Sequence, residues 1–193
     1  MNAKKMTLIV SVGIIYAISF LSGCASPKGS TGQEKRAYVQ NMRSDALSRL
    51  YDHEPDAKAE IAAAPGYAVF EAITTQIIIS TTGNAYGIVH DNETGKDTYM
   101  SSFTAGAGFG AGIKDYRAVV VFKDRDIMDE FVNKGWVFGA SGTADAKKDT
   151  SGGSASTRME FDKRLKIYTF TEQGLMAGAS LKGTKVWKDE KLN

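Results

Sequence analysis

Gly106-Ala107-Gly108-Phe109-Gly110-Ala111-Gly112-Ile113-Lys114-Asp115-Tyr116-Arg117-Ala118-Val119-Val120-Val121-Phe122 is the stretch that decides the fold. Its second half is a strongly apolar run of β-branched and aromatic residues, the composition of a strand. Its first half repeats glycine at every second residue, which is the period of a strand and not of a helix. Gly106 to Ala111 does satisfy a loose G-x-G-x-x-A. A dinucleotide loop, however, must open a helix whose N-terminus receives the pyrophosphate. Here the chain runs on through Lys114 and Asp115 into the valine strand. The glycines therefore read as a strand face stripped of side chains, so that another backbone, a helix or a bulky group can come close. A groove that admits a ligand is the alternative.

Working outward, Asp124 to Lys134 reads as a helix. Asp124 can cap it, acidic residues fill its first turn, and Ile127, Met128 and Phe131 share one face. Short β-prone runs lie on both sides. Upstream they are Tyr67 to Ile73, Gln76 to Thr81, Ala85 to His90 and Thr98 to Phe103, with Asn92-Glu93-Thr94-Gly95 as a hairpin turn. Downstream they are Trp136 to Gly142, Thr157 to Phe161, Leu165 to Thr171 and Ala177 to Trp187. Ala144 to Ser156 is rich in Gly, Ser, Lys and Asp and reads as a loop. Before the strands, Glu34 to Tyr51 carries Tyr38, Met42, Leu47, Leu50 and Tyr51 at helical spacing. That stripe suits a core face, with a helix lying on a membrane as the alternative. Asp56 to Ala64 reads as a second, short helix closed by Pro65-Gly66. The expected fold is α+β: N-terminal helices packed on a mainly antiparallel β-sheet that curls toward a barrel, with one crossover helix.

The N-terminus sets location. Lys4 and Lys5 form a basic start, and Leu8 to Phe20 is a short apolar run interrupted by Ser11, Gly13 and Ser19. It is a poor match to ~30 Å of hydrocarbon and a good match to an export signal. Leu21-Ser22-Gly23-Cys24 looks like a bacterial lipobox. The resemblance implies a lipoprotein signal peptide over residues 1–23, cleavage before Cys24 and acylation of Cys24. A cleaved signal without lipid and a retained anchor helix are the alternatives. Ala25 follows, with no aspartate there to hold the product at an inner membrane. The expected location is thus the outer membrane, lipid-anchored and facing the periplasm, or the cell membrane if the source is not Gram-negative. Ala25 to Gln33 is small, polar and breaker-rich, so residues 24–33 read as the acylated cysteine and a flexible tether, and residues 34–193 as the folded domain.

Removing the signal changes the charge balance. Two of the 24 Lys and Arg lie in it and no acid does, which leaves 22 basic residues against 22 acidic ones. A neutral domain gives no electrostatic case for nucleic acid. Cys24 is the single cysteine, so once acylated it leaves no thiol for a disulfide, a metal or a nucleophile. His53 and His90 stand apart, without a zinc spacing, and read as surface or capping residues. Asp91 to Gly95 lacks the spacing and closing glutamate of an EF-hand. No serine sits in G-x-S-x-G. No catalytic residue, metal or cofactor is expected. What remains is cations among aromatics: Lys114 and Arg117 around Tyr116, Lys123 and Arg125 at the helix start, Lys163, Arg164 and Lys166 before Tyr168, and Lys182 ahead of Trp187. These are candidates for meeting lipid phosphates, at ~1 kcal/mol each near an anionic surface. Ordinary solvated lysine is the alternative.

The mature chain resembles the SYLF domain family of bacterial lipoproteins and eukaryotic membrane-binding proteins. Ala64-Pro65-Gly66-Tyr67-Ala68-Val69-Phe70 is similar to its opening segment, and Gly83 with Gly87-Ile88-Val89 to its glycine-then-strand step. The alternating glycines, Asp115 and Ala118 to Phe122 resemble its central block. Tyr168-Thr169-Phe170 followed by Gln173 to Gly183 resembles its tyrosine strand and Gly-Leu-Phe-Ala-Gly-Val-Ser-Leu-Glu-Gly run. The likeness covers roughly Ser44 to Asn193. The departures are Thr74-Thr75-Gln76 in place of a Lys/Gly stretch, no proline near Thr98-Tyr99-Met100, Lys182 where acid is common, and an end at Asn193 without the aromatic tail. The resemblance implies binding of phospholipid without catalysis, with a membrane as partner through Cys24 and a basic patch. A structural or stress-related envelope protein that binds another protein or peptidoglycan is the competing expectation. No particular protein partner is implied.

Overall fold

A computed structural model describes residues 26–138, 163–171, 174–175 and 183–193; the side chains of 75–81, 107–114 and 174–175 are not part of that description. In chain order the elements are α1 (Gly32–His53), α2 (Asp56–Ala63), β1 (Gly66–Asp91), β2 (Asp97–Phe122), α3 (Arg125–Lys134), β3 (Trp136–Val137), β4 (Leu165–Thr171), β5 (Gly174–Leu175) and β6 (Thr184–Lys188). The expected α+β class is what the chain adopts: helices precede an antiparallel sheet that curls into a half-barrel. The expected strand Thr157 to Phe161 and loop Ala144 to Ser156 lie outside the described residues.

β2 is the spine of the sheet. One edge pairs with β1 over nearly its whole length. The other edge pairs with β6 through Met100–Thr104 and with β4 through Arg117–Phe122. β3 continues outward from β6 and β5 from β4. The separate short strands expected between Tyr67 and Phe103 are corrected here. They are two 26-residue strands joined by the Asn92-Glu93-Thr94-Gly95 turn. Thr74, Thr82 and Asn84 looked like breaks, but their backbones stay paired, opposite Lys114, Ala105 and Phe103. The glycine run is indeed mid-strand, opposite Gln76–Thr81, and a register shift falls between Ile78 and Ser80.

Such a long ribbon cannot stay straight in a small domain, and it doubles back. The Tyr67 and His90 rings meet at 5.4 Å, and the Tyr86 hydroxyl donates to Glu71 Oε2 at 2.8 Å. The two halves of β1 therefore lie against each other. Gly87 makes this possible: a Cβ there would press on Val69 O and the Phe70 ring. The turn is held by Asn92, whose side-chain amide donates to Ile61 O and Ala64 O at the end of α2, at 2.7 and 2.8 Å.

The sheet is buried on both faces, which explains the unbroken apolar run that ends β2. Val119 and Val121 join Tyr67, Val69, Tyr86, Ile88, Tyr99 and Phe170 beneath α1 and α2, against Val39, Met42, Leu50 and Ile61. Val120 and Phe122 face the other way, with Phe70, Val89, Met100 and Ile167 against Ile127, Met128 and Phe131 of α3. Phe131 is the centre of that layer, with the Phe122 ring at 5.1 Å and Trp136 stacked on it at 6.3 Å.

Helix ends are set locally. Asp124 Oδ1 accepts the Ile127 N–H at 2.9 Å, as its position predicts. α1 begins earlier than Glu34. Thr31 is its N-cap and forms a reciprocal capping box with Glu34. Ser30 N–H also donates to Glu34 at 2.7 Å, Pro27 is buried, and the Lys28 ammonium sits 5.6 Å over the Tyr38 ring. From Ser26 to Gln33, the segment expected to be a leash is folded onto the start of α1.

Candidate functional site

The sequence-identified cations fall into three groups. Arg117, Arg125 and Lys166 are held by acids. Arg117 reaches from β2 to Asp45 of α1 at 2.7 Å and approaches Glu71 at 3.9 Å. Arg125 grips Asp91 with both guanidinium nitrogens, at 2.9 and 2.8 Å, and also meets Glu93 and Asp129 at 3.3 Å. Lys166 bonds to Glu60 of α2 and lies 4.9 Å over the Tyr168 ring, while the Tyr168 hydroxyl donates to the same carboxylate at 2.7 Å. Lys123, Lys163 and Arg164 are exposed together where β2 ends and β4 begins, and the Lys123 N–H donates to Arg164 O at 2.8 Å. Lys114 lies in β2 opposite Thr74, with its side chain undescribed, and Lys182 and Cys24 lie outside the described residues.

The acids in these pairs show their strength. The two-pronged hydrogen bond from Arg125 carries the Asp91 carboxyl far below its ordinary range against the cost of its burial, helped by the Thr94 and Glu93 N–H groups. Partial burial raises the Glu60 pKa, but the hydrogen bonds from Lys166 and Tyr168 and the charges of Lys166 and Lys123 lower it further, for a net downward shift. Burial, reinforced by hydrogen bonds with Tyr38 and Glu71, drives the Tyr86 phenol far upward, so it stays a neutral donor. His90 joins a third network: its Nδ1 lies 2.7 Å from Asp97, which also takes Arg43 at 2.6 Å. His53 closes α1. These networks join α1, α2 and α3 to the sheet.

Arg117 and Tyr116 also line a small depression. The depression lined by Glu71, Asp115, Tyr116, Arg117, Phe170 and Thr171 has about 20 Å³ of free volume, room for a water rather than an acyl chain. Among the described residues, no group of three or more His, Cys, Asp or Glu is placed to hold a metal, and no helix is long and apolar enough to cross a membrane.

An unlooked-for feature lies on the sheet face that α1 covers, just beyond the helix. Asn84, Phe103, Lys185 and Val137 are successive cross-strand partners and share a face. Tyr86, Ser101 and Trp187 form the next row, and Tyr86 belongs to the layer beneath α1. The Glu71–Tyr86 bond puts those two side by side, so Ile73 and Asn84, two residues on in each strand half, are neighbours as well. Ile73, Phe103, Val137 and Trp187 are the exposed large apolar side chains among the described residues, each 39–44 % exposed. All four fall on this one stripe. Alternation hid it, because Val186 and Phe138, next in sequence to Trp187 and Val137, are buried on the opposite face.

The domain is therefore a helix-clad half-barrel whose charged side chains brace its own elements. Residues 103–193 match the family described as "Ysc84: Las17-binding protein actin regulator", which supports the SYLF resemblance of the sequence. It is 34% identical over 172 residues, 89% of its length, to "Beta cell expansion factor A" of Aeromonas veronii. It spans 63% of that relative's length, just under two thirds.

Proposed function

We propose that the chain is a membrane-anchored envelope lipoprotein whose SYLF domain associates with phospholipid without catalysis. The observation that carries the reading is Leu21-Ser22-Gly23-Cys24, a lipobox that ends two residues before the described domain begins. An acylated cysteine with its processed N-terminus carries more than the two chains that stable anchoring needs. Outer-membrane residence facing the periplasm follows from the absence of aspartate after Cys24. Actin regulation, named in the family description, needs a partner that an exported domain does not meet. Of the basic candidates, the exposed Lys123 and Lys163 are available to headgroups, whereas Arg117, Arg125 and Lys166 are committed to internal pairs.

That internal pairing favours a second reading, a structural envelope protein whose surface meets another protein or peptidoglycan. The test is metabolic labelling with a fatty-acid probe, followed by flotation of wild type and Cys24→Ser with phospholipid vesicles. The proposal expects labelling that Cys24→Ser abolishes, and weaker but measurable flotation of the unlabelled variant. Labelling that persists in the variant refutes the anchor, and an unlabelled variant that does not float moves the structural reading ahead.

A further inference from the structure

We infer that the Ile73–Phe103–Val137–Trp187 stripe is the face the domain lays on the bilayer that holds its anchor. This rests on the proposed acylation of Cys24. Three observations carry it.

The first is chemical. Four large apolar side chains, including a tryptophan, stand exposed in one strip with Lys185 among them. Tryptophan is enriched at the headgroup level, and lysine extends its stem along apolar surface while its ammonium reaches water or phosphate. Among the described residues, the acids of this face are few. Glu71 is hydrogen-bonded to Tyr86, Asp115 is the cross-strand partner of Ile73, and Asp189 takes the Ser101 hydroxyl at 2.9 Å at the rim.

The second is position. The chain enters the domain beside the stripe. Lys28 lies over Tyr38, the Tyr38 ring is 6.0 Å from that of Tyr86, and Tyr86 shares a row with Ser101 and Trp187.

The third is reach. Because Ser26 to Gln33 is folded onto α1, the free tether is Ala25 and little else. Two residues extend at most about 7 Å, so Cys24 and its acyl chains stay that close to Ser26. A bilayer at that distance meets whatever surface surrounds the entry point. The exposed Lys123–Lys163–Arg164 corner is at the other end of the sheet. Gly66, opposite Phe122, is seven residues from Ile73, roughly 23 Å along the strand.

The experiment uses the acylated chain in vesicles that contain brominated phospholipid. Trp136 and Trp187 are the two tryptophans and they face opposite ways, Trp136 being stacked on Phe131 in the α3 layer. In Trp136→Phe, the remaining Trp187 emission is expected to shift to the blue and lose most of its intensity to bromine. In Trp187→Phe, the remaining Trp136 emission is expected to be nearly unchanged. Trp187 that stays unquenched in acylated, co-floating protein overturns the orientation and leaves the anchor standing, as does equal quenching of both tryptophans. A Trp187 shift that follows protein concentration and ignores bromine assigns the stripe to a second copy of the chain and also overturns it. Chain that is not acylated overturns the anchor reading and the orientation together. Phe103→Asp gives an independent check, because its side chain is exposed and the fold should survive. It is expected to abolish most of the Trp187 quenching in Trp136→Phe, and full quenching counts against the stripe.

Discussion

The doubling-back of β1 makes Gly87→Ala the sharpest test of the architecture. A Cβ at 87 comes closer than 3.0 Å to Val69 O and to two carbons of the Phe70 ring, nearer than real Cβ atoms approach. The obstruction cannot yield easily, since Val69 is fully buried and Phe70 nearly so between the helix layers. Overpacking a core costs about 1–3 kcal/mol, while replacing a strand glycine by alanine returns roughly 0.5–1 kcal/mol, so the net loss is about 1–2 kcal/mol. For a domain of this size that lowers the melting temperature by roughly 2–8 °C. Gly32→Ala is the control. At the start of α1 an added Cβ finds only Arg36 Nη1, at 3.8 Å, and the helix should gain stability. Thermal unfolding followed by circular dichroism is expected to move the two variants in opposite directions. If Gly87→Ala melts with or above wild type while Gly32→Ala behaves as expected, the two halves of β1 do not touch as described.

Three further outcomes follow from the charged networks and the helix cap. Asp91 has an ordinary pKa of 3.8 and is held below it in the folded state by Arg125, so its stabilisation is complete above about pH 4 and fades as acid carries the pH down through the folded value. Acid unfolding of wild type should therefore be steeper than that of Asp91→Asn, which has lost the ion pair at every pH; parallel curves count against the clamp. Lys166→Met leaves Glu60 half-buried with Tyr168 as its remaining hydrogen-bond donor. Its carboxyl is expected to titrate at higher pH than in wild type, read from its side-chain carbon shift. Asp124→Ala removes the acceptor for the Ile127 N–H at the start of α3 and should cost about 1 kcal/mol, seen as a lower denaturant midpoint at unchanged slope.

What could be read in the sequence is what is encoded nearby. The 3.6-residue stripe of α1, the cap at Asp124, the Asn92–Gly95 turn and the period-two glycines each depend on residues within a turn or two. The capping box at Thr31 was legible as well, since Thr-x-x-Glu is its signature, but it was absorbed into a run that looked like linker. What could not be read depends on distant partners. Arg117 and Asp45 are 72 residues apart, Arg125 and Asp91 34, and Lys166 and Glu60 106, so each cation looks free from its own neighbourhood. The stripe was hidden for a related reason: whether Trp187 or Val186 is exposed depends on where α1 stops covering the sheet. Together these change what membrane contact should look like. Three of the basic candidates spend their charge inside the fold, and the stripe proposed to meet the bilayer carries four exposed apolar side chains. Adhesion of the Cys24→Ser chain should therefore survive a rise in salt that screens exposed charges over ~8 Å or less, and should fall when Phe103 or Trp187 becomes aspartate. A steep loss with salt, together with indifference to those two substitutions, would return the contact to Lys123, Lys163 and Arg164 at the far end of the sheet.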